Sequence, residues 1–181
     1  MKNLTLVSLI LQLVITINVI NAKYKFGDMI AFPRGSKRNP SYKHYAVFVG
    51  PNTEIDIGQG DNDIYHRSGM LGRSKPSDCR FDKLEKTRGK WKRDFKDNYL
   101  DGIRDFKPGT KEDIMKRINE TVGKCDKYRL FTNNCEHLAT YVRYGVKVAW
   151  QYGTHASIFF PKNVMYRRRR RRRSLLRMCQ H

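Results

Sequence analysis

The feature that most constrains this chain is a cysteine at a position where a helix would begin. Asn134 is a favoured N-cap residue, residues 135–144 can continue as a helix, and Gly145 supplies a C-terminal stop. Cys135 then lies in the first turn, where unpaired backbone N–H groups and the helix dipole favour an anion. This position predicts a lowered thiol pKa, a nucleophilic sulfur and N–H donors for a developing oxyanion. The alternative is a small buried cysteine in a structural helix.

A nucleophilic Cys135 needs a base, and the adjacent residues do not supply one. His137 is nearest in sequence, but two residues along a helix turn its ring roughly 200° away from the thiol. His44, at the start of a predicted strand, is the best candidate for the base, with His66 as a polar partner that fixes the imidazole tautomer. The alternative for each strand histidine is a hydrogen-bonded structural residue.

The residues before Cys135 predict short strands followed by a helix. Residues 29–33, 43–50 and 63–66 read as strands, because β-branched and aromatic residues alternate or cluster between turn signals. Thr110 predicts the N-cap of a helix that runs to Val122. The charged stretch 73–107 predicts only one strand near Trp91 and a loop.

These motifs, taken in order, resemble the lecithin retinol acyltransferase family, which includes the small phospholipase A/acyltransferase enzymes. The likeness runs from about Phe26 to Gly145, and residues 43–50, 64–66 and 134–138 carry most of it. The resemblance implies an α+β class and a circularly permuted papain-like fold. In that fold an antiparallel sheet packs against the nucleophile-bearing helix, and the histidine precedes the cysteine in the chain.

Carried over by motif, the resemblance assigns Cys135 as the nucleophile, His44 as general base and acid, and His66 as the third, orienting residue. The spacer before His66 is longer than is usual in the family, and an ungapped alignment places Asp56 at the third position. A carboxylate can orient an imidazole equally well, so Asp56 is the alternative third residue.

The implied reaction is acyl transfer from a glycerophospholipid through an acyl-cysteine intermediate, as phospholipase A or as acyltransferase. Water, an amine, a lysolipid or retinol are all possible acceptors. No cofactor or metal is expected, because no Cys, His or Asp cluster has ligand spacing. The alternatives are a papain-like peptidase or amidase, and a non-catalytic lipid-binding protein.

The charge balance predicts an anionic partner. The chain has 37 Lys and Arg residues against 17 Asp and Glu, a net charge of +20, with an unbroken arginine run from Arg167 to Arg173. Such a surface attracts anionic lipid or nucleic acid. Since no nucleic-acid recognition motif is present, the expected partner of this tail is an anionic membrane surface. Many family members have an apolar C-terminal anchor, which this chain lacks at that position.

The amino-terminal residues predict a targeting segment. Lys2, an apolar stretch over 4–20 and a plausible cleavage site after Ala22 indicate a signal peptide over residues 1–22. The expected organisation is therefore this signal, a catalytic domain over 23–157 and a basic tail over 158–181. The chain would enter the secretory pathway and be secreted or bound to membranes. A retained signal anchor is the alternative, with the domain on the cytosolic side of the endoplasmic reticulum membrane.

A secretory location makes two further predictions. In an oxidising compartment Cys79 would pair with Cys125, while Cys135 stays free. Asn119 begins an acceptor sequence for N-glycosylation and would carry a glycan if that end of the helix is exposed. The alternative is a set of unrelated thiols in a domain that faces the cytosol.

Overall fold

The structure, a computed structural model, describes residues 6–8, 10, 23–36, 38, 40–51, 55–69, 77–89, 92–125, 128–129, 133–151 and 154–155. Residues 6–8 and 10 are helical and exposed. Most of the predicted signal peptide and the whole arginine run lie outside these ranges. Within the ranges, no helix combines the length and the apolar character needed to cross a bilayer.

An antiparallel sheet of five strands organises the fold. The strands are β1 Met29–Gly35, β2 Pro40–Phe48, β3 Ile64–Arg67, β4 Cys79–Asp82 and β5 Phe95–Lys96. They lie in the order β4-β3-β2-β1-β5. The helices with described bounds are α1 Leu84–Arg88, α2 Lys111–Thr121 and α3 Cys135–Tyr144. Helix α3 packs against β1, β2 and β3, which confirms the predicted α+β class and is consistent with a papain-like arrangement.

The two faces of the sheet have different partners because side chains alternate along each strand. On β2, Tyr45 and Val47 belong to the main core with helices α2 and α3. Ala46 belongs to a smaller cluster on the opposite face. His44 is two residues before Ala46, and His66 pairs directly with Ala46 across β2 and β3. Both histidines therefore project from the face opposite helix α3.

Strand β2 extends past the end of β3. Its last three residues, Ala46, Val47 and Phe48, pair with β3, whereas β1 pairs with β2 as far back as Pro40. Residues 40–45 of β2 therefore have an edge that β3 does not cover. The amino terminus of helix α3 reaches this edge, which is how a helix on one face approaches a histidine on the other.

Helix α3 has the predicted bounds and caps. Oδ1 of Asn134 accepts the backbone N–H groups of Glu136 at 2.9 Å and of His137 at 3.0 Å. Gly145 ends the helix with a φ of 76°, a left-handed conformation that suits glycine. Helix α2 likewise begins after Thr110, which forms a capping box. Capping signals were therefore sufficient to place both helices.

The charged stretch 73–107 differs from the prediction. It contains β4 and α1 in addition to the short β5, which lies a few residues after Trp91. β4 has only four residues, and pairing with β3 holds it in place. Strand β2 also begins at Pro40, ahead of the predicted start at residue 43. Such short segments lack a periodic pattern, so tertiary pairing determines them.

The predicted disulfide is confirmed. Cys79 on β4 is bonded to Cys125, with their Cα atoms 5.4 Å apart and a sequence separation of 46. The backbone N–H of Gly123 also donates to the carbonyl oxygen of Cys79 at 2.8 Å. The bond ties the outer strand of the sheet to the segment that follows α2. Cys135 is free and buried.

Candidate active site

A cavity of about 590 Å³ opens at the uncovered edge of β2. Cys135, His44 and His66 all line it. Cys135 lies in the first turn of α3, His44 in the part of β2 that does not pair with β3, and His66 on β3. The structure thus brings the three predicted site residues to one place, although up to 91 positions of sequence separate them.

The histidines form a hydrogen-bonded pair. Nε2 of His44 lies 2.8 Å from Nδ1 of His66, with the rings nearly perpendicular. They meet because they occupy diagonal positions on adjacent antiparallel strands, on the same face. The other ring nitrogen of His66, Nε2, lies 3.6 Å from Oδ2 of Asp82. A polar series from His44 through His66 to Asp82 therefore crosses β2, β3 and β4.

Asp56, the alternative third residue, does not take part in this series. Its side chain is exposed, and Oδ1 accepts the backbone N–H of Gly58 at 3.0 Å. It is absent from the described residues that line the cavity. Of the two candidates, only His66 contacts His44.

Burial raises the pKa of the Cys135 thiol to about 11. The backbone N–H of Tyr45 and the hydroxyl of Tyr128 hydrogen-bond to the sulfur and oppose this shift, while the charge of Glu136 adds to it. The predicted lowering of the thiol pKa is therefore wrong. Loss of water outweighs the helix terminus, although the backbone N–H of Glu136 in the first turn also acts to lower the thiol pKa.

Burial also lowers the pKa values of both site histidines. The pKa of His44 falls well below its usual value, first through loss of water and then through repulsion by His66 and Arg34. Burial lowers the pKa of His66 to about 4, although Asp82 acts in the opposite direction. These shifts favour a protonated thiol and two uncharged imidazoles at neutral pH.

His137 serves helix α3 and not the cavity. Its Nδ1 lies 2.9 Å from Oδ1 of Asn134 and 3.4 Å from the backbone N of the same residue. His137 is also absent from the described cavity lining. This agrees with the rotation argument from the sequence and gives the histidine a capping role.

Glu136, the residue after the cysteine, is a fully buried anchor. Its carboxylate accepts the Tyr99 hydroxyl at 2.7 Å, the Trp150 backbone N–H at 2.9 Å and the Gln151 side-chain amide at 2.8 Å. Burial raises the pKa of Glu136, and these donors oppose the shift. The network fixes the start of α3 against the segment around residue 150.

Gln151 extends this network to the strand that carries His44. Its Oε1 accepts the Lys43 N–H at 2.8 Å, and its Nε2 donates to the Lys43 carbonyl at 3.1 Å. Gln151 has a φ of 45°, an uncommon conformation for a residue other than glycine, which these bonds hold in place. Gln151 was not among the predicted site residues, because an isolated glutamine 108 residues from its partner has no local signal.

In the part of the chain that the structure describes, no group of three or more His, Cys, Asp or Glu side chains is placed to hold a metal ion.

The chain was compared with models of known protein families. The model of the family described as lecithin retinol acyltransferase matches residues 22–148. The chain belongs to the lecithin retinol acyltransferase family. The match includes His44, His66 and Cys135, and it stops before Gln151. This confirms the resemblance drawn from the motifs.

Two known proteins are similar to parts of the chain. Lecithin retinol acyltransferase of Mus musculus is 39% identical over 54 residues, which is 30% of this chain and 23% of that protein. Phospholipase A and acyltransferase 1 of Homo sapiens is 29% identical over 126 residues, which is 69% of this chain and 70% of that protein. The chain therefore matches less than a quarter of the mouse protein and about two thirds of the human one.

Proposed function

We propose that this chain transfers acyl groups from glycerophospholipids through an acyl-cysteine intermediate. Cys135 is the nucleophile, His44 the general base and acid, and His66 the residue that orients His44. The observation that carries the proposal is the 2.8 Å contact between the histidine rings in a cavity that Cys135 also lines. Family membership supports an acyltransferase or phospholipase activity at family level.

The first step forms the thioester. The sulfur of Cys135 attacks the ester carbonyl carbon, and His44 takes the thiol proton on Nδ1, the ring nitrogen that His66 does not occupy. The oxyanion faces the backbone N–H of Cys135, since Asn134 already binds the next two N–H groups. The carbon–oxygen bond then breaks, His44 returns the proton to the lysophospholipid alkoxide, and the acyl group stays on sulfur.

The resting protonation state determines how the attack occurs. Because the thiol is protonated and His44 uncharged at neutral pH, proton transfer accompanies the attack on the carbonyl. His44 becomes an imidazolium only as the sulfur–carbon bond forms. His66 accepts the hydrogen bond from Nε2 of that imidazolium, with Asp82 behind it, and this favours the charged state.

The second step releases the acyl group to an acceptor. His44 removes a proton from the acceptor, which attacks the thioester and restores the thiol. Water as acceptor gives phospholipase A activity, whereas an amine, a lysolipid or retinol gives acyltransferase activity. The two steps use the same histidine in opposite protonation roles.

The same proposal places the domain at a membrane surface in the secretory pathway. Residues 1–22 act as a signal peptide, residues 23–157 form the catalytic domain, and the basic tail over 158–181 binds anionic lipid. The Cys79–Cys125 bond supports an oxidising compartment. Asn119, the predicted glycosylation site, is exposed on α2.

The direct test is mass spectrometry of the protein after exposure to phosphatidylcholine with a labelled acyl chain. We expect one acyl group on Cys135, released by hydroxylamine as a thioester is. Cys135→Ala abolishes this adduct, and Cys179→Ala, which removes a thiol from the basic tail, leaves it unchanged. Phospholipid cleavage that persists in Cys135→Ala would overturn the proposed mechanism.

A further inference from the structure

Arginines flank the histidine pair on both sides of the same sheet face. Arg34 lies on β1 two residues after Phe32, which pairs with His44. Arg80 on β4 pairs directly with His66. Side chains in direct or diagonal cross-strand positions are near enough to interact. The strand register therefore places a guanidinium beside each member of the pair.

The charge of Arg34 has no carboxylate partner within the described ranges. Its Nη2 donates to the Thr87 carbonyl at 2.6 Å, and its guanidinium lies 5.6 Å from the centre of the Phe32 ring. Burial lowers the pKa of Arg34, and negative charge on Tyr42 or Cys135 acts in the opposite direction. A half-buried guanidinium that faces the nucleophile is favourable for an anion in the same cavity.

The charged residues in the described lining of the cavity are all positive. None of its described lining residues is acidic, and its cationic lining residues are Arg34, Lys43, Arg80 and Lys86. Lys43 has a carboxylate partner in Asp97 at 3.0 Å, and Arg80 has one in Asp82 at 2.8 Å. The uncompensated charge is therefore concentrated on Arg34 and on the exposed Lys86 of α1. A cavity lined by one sign of charge concentrates ligands of the opposite sign.

We propose that Arg34, Lys86 and Arg80 form an anion-binding subsite that holds the phosphate of a lipid with a net negative headgroup while Cys135 faces its ester. This inference rests on the proposed function and adds a substrate class to it. Arg34 contacts the phosphate as a planar bidentate donor, and Lys86 and Arg80 line the same cavity.

The subsite discriminates between headgroups by charge. The phosphate is common to all glycerophospholipids, so Arg34 supports the binding of each. The zwitterionic phosphatidylcholine headgroup also brings a quaternary ammonium into a positive cavity, where repulsion offsets part of the gain. An anionic headgroup such as phosphatidylglycerol brings no such cation. The chain should therefore bind phosphatidylglycerol more tightly than phosphatidylcholine of equal chain length.

The test measures binding without turnover. Isothermal titration of the full-length Cys135→Ala protein uses monomeric dihexanoyl phosphatidylglycerol, dihexanoyl phosphatidylcholine and inorganic phosphate. We expect the anionic lipid to bind more tightly than the zwitterionic one. Adding Arg34→Gln should weaken phosphatidylglycerol binding by about 10- to 100-fold and narrow the difference between the lipids. The phosphatidylglycerol affinity of the Arg34→Lys protein should lie between those of the proteins with arginine and with glutamine at position 34. Lysine keeps the positive charge but loses the bidentate guanidinium.

Arg104→Gln is the matched control, since it removes the same charge from an exposed loop residue and should leave all affinities unchanged. Lys86→Gln, an exposed substitution, should narrow the lipid preference even if Arg34 variants unfold. Equal affinity for both lipids, or equal effects of Arg34→Gln and Arg104→Gln, overturns the subsite. Inorganic phosphate that binds as tightly as phosphatidylglycerol overturns its assignment to lipid. Because binding needs no thioester, failure of the Cys135 adduct and failure of this subsite are separate results.

Discussion

Nε2 of His44 lies 2.8 Å from Nδ1 of His66, and this contact assigns each histidine one free ring nitrogen. On His44 the remaining nitrogen is Nδ1, and His44 lines the same cavity as Cys135. On His66 it is Nε2, which faces Asp82. When Nε2 of His44 donates, His66 must present an unprotonated Nδ1 and carry its hydrogen on Nε2, towards the carboxylate. The contact thus makes the tautomer of His44 on β2 depend on His66 on β3 and on Asp82 on β4.

Substitutions at position 66 test this orientation. We expect His66→Ala to lower kcat by about 100-fold or more, because His44 loses the acceptor that fixes its tautomer. His66→Asn should retain more activity, since an amide oxygen can accept the same hydrogen bond. Asp56→Ala is the control and should match the unmodified protein. A loss with Asp56→Ala equal to that of His66→Ala would contradict the assignment, provided that circular dichroism shows both folded.

Substitutions of Cys135 and of His137 should have different effects on acyl-enzyme formation. Cys135→Ala removes the adduct, whereas His137→Ala leaves a measurable fraction because its ring bonds the N-cap of α3. The cost of His137→Ala should instead appear as about 1 kcal/mol of unfolding free energy from the weakened cap. Intact-mass spectrometry and urea unfolding measure the two effects. Loss of the adduct in a folded His137→Ala protein would mean that the wrong histidine was chosen.

The thiol of Cys135 should lose its proton only at high pH. A thiol whose pKa is raised stays protonated until the pH approaches that value, here about 11. The rate of Cys135 alkylation by iodoacetamide should therefore still rise between pH 9 and pH 11. Cys179 in the same digest is an internal reference, with an ordinary thiol pKa of about 8.5 expected for it. A Cys135 rate that is already constant from pH 5 would indicate a thiolate–imidazolium pair instead.

The Cys79–Cys125 disulfide should contribute substantially to the free energy of unfolding. Closing a loop with a sequence separation of 46 predicts a loss of about 4 kcal/mol of unfolding free energy when Cys125 is replaced by Ala, measured by urea unfolding.

Without reductant, iodoacetamide should modify Cys135 and Cys179 but neither partner of the bond. A glycosidase should also shift the gel mobility of protein made in a secretory host, through Asn119. Alkylation of all four thiols without reductant, together with unshifted mobility, would exclude the luminal location.

Deleting residues 162–181 should weaken membrane binding without harming the site. Each cationic side chain near an anionic bilayer contributes about 1 kcal/mol, and salt screens that attraction. We therefore expect reduced sedimentation with anionic vesicles at low salt, a smaller difference at high salt, and unchanged hydrolysis of a soluble short-chain ester. Neutral vesicles are the control. Equal binding by both proteins at low salt would show that the tail has no such role.

Local chemistry was enough to predict helices α2 and α3 and strands β1, β2 and β3, but not α1 or β4. Asn134 and Gly145 bound α3 because capping and left-handed conformations depend on residues adjacent in sequence. The alternation in β2 placed His44 on one face for the same reason. The family motif then identified Cys135, His44 and His66 as a set, and the disulfide followed from cysteine count and compartment.

Only the tertiary structure decided what surrounds those residues. The pKa of Cys135 depends on how much water the fold removes, which no local pattern encodes, and burial reversed the predicted direction. The direct contact of His66 with His44, which Asp56 does not make, depends on the register of β2 and β3. Gln151 and Arg34 reach the site through contacts between segments distant in sequence. Sequence thus determined which residues are candidates for the reactive groups, while packing between distant segments determined their burial, their partners and the charge of the cavity.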